Sequence, residues 1–90
     1  MYRTAPGFIH RKIADADILV SMNVAAFNGY ITLNETSAFL WDMMEEPKTA
    51  EQLAQSLTEQ YDVTDTQALE DVQEILRVFL AGGVVLEVTE

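Results

Sequence analysis

The chemical stock of this 90-residue chain is narrow: fifteen carboxylates, one histidine and no cysteine. Without cysteine there is no disulfide, no thiolate nucleophile, no iron–sulfur cluster and no cysteine zinc site. His10 stands on an expected strand beside Arg11 and Lys12, with no second imidazole to share a metal ion. It reads as a surface or partly buried structural residue. Ser21, Ser37 and Ser56 lack a partner that would activate a hydroxyl. Glu70, Asp71 and Glu74 are spaced around the polar side of an expected helix, as a solvated face would be. The sequence therefore points away from catalysis, and no metal or cofactor is expected. An acyl carrier would have a similar size and acidity, but its carrier serine opens a helix within Asp-Ser-Leu. Here the nearest match, Gln55-Ser56-Leu57, falls inside a helix.

A hydrophobic content of 49% with two prolines fits a single domain spanning residues 1–90, with an ordered core from about residue 8 to 87. The apolar runs are far shorter than the ~20 residues that cross a bilayer, and the amino terminus has no apolar signal core. A cytoplasmic protein is expected. Its formal net charge of −10 repels phosphate backbones and anionic lipid, so neither nucleic acid nor membrane is an expected partner.

The elements that would position a site centre on Asn28 to Trp41. Asn28-Gly29 favours two successive positive φ angles and predicts a hairpin turn that launches Tyr30 to Leu33 as a strand. Asn34 then caps a helix through the N–H of Thr36 or Ser37, with Leu33 and Ala38 as a hydrophobic staple. Upstream, Met1 to Gly7 has no periodicity and reads as a lead-in. Phe8 to Ile13 predicts a first strand, Asp15-Ala16-Asp17 a turn, and Ile18 to Met22 a second strand that Val24 to Phe27 continues.

The first helix should run from Glu35 to about Met44, apolar around most of its circumference, and stop at Glu45-Glu46-Pro47. Thr49 with Gln52, and Thr64 with Gln67, form capping-box patterns for two further helices. The second carries Leu53, Leu57 and Tyr61 on one stripe. The third, about Asp65 to Ala81, places Ile75, Ala68, Phe79, Val72, Leu76, Leu69 and Leu80 within an arc of roughly 140°, bordered by Gln73 and Arg77. Gly82-Gly83 ends it, and Val84 to Val88 forms a short extended tail. The fold class is α+β: a three-stranded antiparallel sheet followed by three helices, with a winged helix-turn-helix-like order. DNA recognition is disfavoured, because the last helix offers Asp65, Glu70, Asp71 and Glu74 against one Arg77.

What remains is a binding surface. Tyr30 to Leu33, with the segment from Ala26, is a candidate sheet edge whose unpaired backbone groups an extended peptide could use. The excess width of the last helix's apolar arc would then wall a groove. The alternative is that the whole arc is core and Val84 to Val88 covers the edge.

The run Gly29-Tyr30-Ile31-Thr32-Leu33-Asn34-Glu35-Thr36-Ser37-Ala38-Phe39-Leu40-Trp41, followed by Thr49-Ala50-Glu51-Gln52-Leu53, Tyr61-Asp62-Val63, Asp71-Val72 and Phe79-Leu80 before Gly82-Gly83, resembles the PqqD family. The resemblance extends from about residue 8 to 87. It implies a winged helix-turn-helix-like peptide chaperone that binds the leader of a ribosomally made precursor peptide. The leader adds a strand beside the third strand and against the third helix, and its core is presented to a separate enzyme, often a radical S-adenosylmethionine protein. Carried onto this chain, the resemblance implies contacts from Phe27, Asn28, Gly29, Tyr30, Ile31 and Thr32, and from Leu69, Val72, Gln73 and Leu76. Arg77 is added from its position, as a lone cation that could meet an acidic leader side chain; an intrahelical pair with Glu74 is the other reading. Nothing in the sequence ties the chain to pyrroloquinoline quinone itself. The alternative function is a winged-helix interaction or regulatory module, with a second copy of the chain pairing on the same edge.

Overall fold

A computed structural model describes residues 1–21 and 30–89. Along them run β1 (Tyr2–Thr4), β2 (Phe8–Ile13), β3 (Ala16–Ser21), β4 (Tyr30–Leu33), α1 (Glu35–Met43), α2 (Ala50–Gln60), α3 (Asp65–Gly82) and β5 (Val85–Glu87). The expected three-stranded antiparallel sheet is present in the order β2-β3-β4, and the three helices follow it. The expected turn at Asn28-Gly29, and the continuation of the second strand through Met22 and Val24 to Phe27, lie outside the described residues.

Register fixes which face of the sheet meets the helices. His10 stands opposite Leu19 and Leu19 opposite Ile31, while Lys12 stands opposite Asp17 and Asp17 opposite Leu33. Because side chains alternate across a strand, these residues share the inner face. Leu19 is fully buried there, and Leu33 nearly so. The chain reverses between β2 and β3 earlier than Asp15-Ala16-Asp17 suggests. Ile13 pairs with Ala16, so Ala14 and Asp15 alone make the turn, and Ala14 takes a left-handed φ of 55°. Alanine seldom adopts that conformation, which is why the turn is hard to read from the sequence.

Each helix begins where its cap is written. The Asn34 side chain accepts the Ser37 N–H at 2.7 Å. Thr49 and Gln52 complete a reciprocal box: Thr49 Oγ1 accepts from the Gln52 N–H at 3.1 Å, and Gln52 Oε1 accepts from the Thr49 N–H at 2.8 Å. At α3 only half of the expected box forms. Thr64 accepts the Gln67 N–H, but the Gln67 side chain turns forward and donates to Asp71 Oδ1 at 2.8 Å. Gly83 ends α3 in the left-handed conformation with φ 73°, as glycine permits.

The core is shared by all three helices and the sheet. Leu40, Trp41 and Met44 from the first helical segment meet Leu53 and Leu57 of α2 and Ala68, Val72, Leu76 and Phe79 of α3. Each large side chain withdrawn from water in this way contributes about 1.5–3 kcal/mol.

The reading of Met1 to Gly7 as an unpatterned lead-in is corrected. Tyr2–Thr4 pairs antiparallel with Val85–Glu87 in a second, two-stranded sheet. On its other side the Tyr2 N–H donates to Lys48 O at 2.7 Å and the Lys48 N–H to Tyr2 O at 3.0 Å. A three-residue strand is too short to show a period, and its partner lies at the far end of the chain. The same pairing settles where the carboxyl-terminal tail goes: β5 lies on β1, not on β4.

Candidate functional site

β4 pairs with β3 through Tyr30 to Leu33, and among the described strands none lies on its other side. In an antiparallel ladder alternate residues turn their N–H and C=O away from the partner. Those outward groups are the open edge.

At the carboxyl end of β4 a cleft of about 310 Å³ opens between the start of α1 and the middle of α3, lined by Asn34, Thr36, Asp71, Glu74 and Ile75. Ile75 is half-buried against the core. Beside it stand two carboxylates, each with a side-chain partner on the same helix. Asp71 takes the Gln67 amide, and Glu74 Oε1 lies 3.1 Å from Arg77 Nη2. Val78, 58% exposed, follows Asp71, Glu74 and Ile75 at helical spacing and extends the same face.

The expected helical residues are distributed differently. Val72 is completely buried and Leu76 nearly so; both are core. Leu69 borders a cleft of about 510 Å³ between α2 and α3, with Ala54 and Thr58. Gln73, Leu76 and Arg77 border another, of about 560 Å³, with Tyr2 and Thr49. Leu69, Gln73 and Arg77 thus flank α2 and the amino-terminal strand, whereas the flank beside the end of β4 carries Asp71, Glu74 and Ile75. The excess apolar arc of α3 splits, Ile75 to one side and Leu69 with Leu80 to the other. Arg77 makes its intrahelical pair with Glu74. On the strand, Ile31 is half-buried and packs on the core, and Thr32 is exposed. Phe27, Asn28 and Gly29 lie outside the described residues. From the sequence, Asp71 and Glu74 read only as solvated acids. On the helical wheel Asp71 stands next to Ile75 at the border of the apolar arc opposite Gln73, and that is the signal the sequence holds.

His10 is more constrained than a generic surface residue. Its Nε2 lies 2.8 Å from Asp17 Oδ1, and its Nδ1 lies 2.8 Å from Asp42 Oδ1 and 3.0 Å from Oδ2. The ring also meets Trp41 edge-on, centroids 6.5 Å apart. Burial works to lower the imidazole pKa, but the hydrogen bonds and charges of Asp17 and Asp42 outweigh it, and the value is raised above the ordinary 6.5. Among the described residues no group of three or more His, Cys, Asp or Glu side chains is placed to hold a metal ion, and no helix is long and apolar enough to cross a membrane.

Two solved structures share this architecture. One is TbiB1 in complex with the TbiA(beta) leader peptide, 17% identical, with a TM-score of 0.77 over 98% of this chain and 99% of that one. The other is a lasso peptide synthetase B1 complexed with the leader peptide, 22% identical, with a TM-score of 0.77 over 96% of this chain and 98% of that one. At such identities the likeness establishes the fold. No curated protein matches the chain. The family model described as Coenzyme PQQ synthesis protein D (PqqD) matches residues 18–85, from within β3 to the start of β5. That span takes in the open edge, all three helices and the cleft between them, and the chain belongs to the PqqD family.

Proposed function

We propose that this chain is a non-catalytic peptide chaperone that binds the leader of a ribosomally made precursor peptide and presents the peptide to a separate modifying enzyme. The observation that carries the reading is the open edge of β4 beside the α3 cleft, with the chain's own tail paired elsewhere. A leader extended along Tyr30, Ile31 and Thr32 gains backbone hydrogen bonds from the strand and sets alternate side chains toward Ile75, Asp71 and Glu74. Phe27, Asn28 and Gly29 are kept in the proposed pairing segment, and Val72 and Leu76 form the core beneath the helical wall. Leu69 borders the cleft between α2 and α3, and Gln73 and Arg77 border the one beside Tyr2 and Thr49, so these three stand outside the proposed groove.

Membership of the PqqD family and the likeness to two proteins solved with leader peptides support this reading. The modifying enzyme is proposed to be of the radical S-adenosylmethionine type, working with the chaperone in the cytoplasm. The domain is proposed to act as one unit over residues 1–90. Ordering a flexible leader costs ~2–5 kcal/mol, and one buried apolar anchor returns about 2 kcal/mol, so each contact at the cleft matters.

The test is a titration of the isotope-labelled chain with the leader segment of a precursor peptide from the same organism. Amide shifts should concentrate at Tyr30 to Leu33 and Asp71 to Val78. A spectrum unmoved by a large excess of that leader would overturn the proposal.

A further inference from the structure

His10 joins three elements. Both ring nitrogens face carboxylates, Asp17 on β3 and Asp42 in α1. A carboxylate only accepts, so both nitrogens must donate, and only the imidazolium can do that. On losing a proton the ring must present a lone pair to one of its two partners, and that hydrogen bond breaks. The Asp17 side chain is 16% exposed and the Asp42 side chain 55%. Water can replace the imidazole at Asp42 far more easily, so the remaining proton stays with Asp17. Deprotonation therefore breaks the hydrogen bond from His10 to Asp42, the polar contact that ties the β2 margin to α1.

Among the described residues, charged groups stand on two sides of His10. Lys12 shares the inner face of β2 and stands opposite Asp17. The other strand on that face, β4, contributes Ile31 and Leu33. From the helical side come Asp42 and the ring of Trp41, with Glu45, Glu46 and Lys48 around the depression next to Asp42. The sheet is a single hydrogen-bonded unit, with β2 at one margin and β4 at the other. Pinning the β2 margin to α1 therefore fixes the tilt of the sheet, including the margin that receives the peptide.

We propose that protonated His10, bound to Asp17 and Asp42, is a positioning residue that locks the β2-β3-β4 sheet on α1 and so holds the β4 edge at the right distance from α3 for a leader peptide. This rests on the peptide-binding reading and adds its regulation: the leader is held more tightly in mild acid than in mild alkali, and His10 is the sensor. The cleft's own carboxylates, Asp71 and Glu74, are common to the wild type and His10→Gln, so the comparison of the two isolates what passes through the sheet.

Two measurements on the full chain test it. The first follows leader affinity from pH 6 to 9 in the wild type, His10→Gln and Asp42→Asn. The wild type should weaken by at least about fivefold, an ordinary size for coupling between sites, along the titration of the His10 ring seen by NMR. His10→Gln should lose that dependence, and titration of the peptide itself cancels in the comparison. Parallel profiles in the wild type and His10→Gln would overturn the proposal. The second needs no peptide. Residual dipolar couplings should show the sheet reorienting relative to the helices across the same pH range in the wild type and not in His10→Gln. A fixed orientation would overturn the clamp even if the leader binds, whereas a leader that binds at no pH would sink the parent reading.

Discussion

The indole Nε1 of Trp41 donates to the carbonyl oxygen of Val84 at 3.1 Å, and the same oxygen accepts the Ala5 N–H at 3.0 Å. One carbonyl thus joins α1, the residue after the α3 cap and the segment that leaves β1. The tryptophan that stands out in the sequence is a structural rivet, and its ring meets His10 on β2, at the margin of the sheet opposite β4. Trp41→Phe removes one of two donors and leaves a gap in the core. It should lower stability by about 2 kcal/mol in urea denaturation, with leader affinity within about twofold of the wild type.

The pairing of Tyr2–Thr4 with Val85–Glu87 makes the amino-terminal residues part of the fold. Deleting Met1 to Thr4 should expose Val84 and Val85, both almost fully buried. A loss of about 2–4 kcal/mol is expected, equal to the burial of one or two such side chains. Thermal unfolding reads it directly, and an unchanged midpoint would show that the strand adds nothing.

The two flanks of α3 make opposite predictions. Ile75→Ala, beside the end of β4, should weaken leader binding about 5- to 30-fold, the equivalent of ~1–2 kcal/mol. Arg77→Ala, on the other flank and paired among the described residues with exposed Glu74, should leave affinity within about twofold, since such surface pairs contribute little. Isothermal titration of both variants separates the flanks.

Stability should also follow His10. Its folded-state pKa is raised, so its contribution is complete below the unfolded value near 6.5 and is lost as pH rises through the folded value. The stability difference between wild type and His10→Gln should therefore be largest in mild acid and shrink toward pH 9. Paired urea titrations at several pH values check the sign, and a difference that grows with pH would contradict it.

Local chemistry was legible and azimuth was not. Asn34 and Thr49 could be read as caps because a cap is a contract between residues three apart, and α1 and α2 begin where those contracts place them. Thr64 shows the limit: Asp71, one turn beyond Gln67, competes for the amide that would have closed the box. The extent of α3 followed from its periodicity, but a wheel does not say which border of the apolar arc faces β4, and the flank carrying Gln73 and Arg77 turned out to face α2. The β1-β5 pair and the His10 hydrogen bonds join residues too distant in sequence for any local pattern to announce them.

A leader peptide bound as proposed becomes the next strand after β4. Intermolecular NOEs between a labelled leader and the chain test it most directly. Cross-strand contacts are expected from the leader backbone to Tyr30, Ile31 and Thr32, with side-chain contacts to Ile75. Contacts confined to Leu69, Gln73 and Arg77, with β4 untouched, would contradict it.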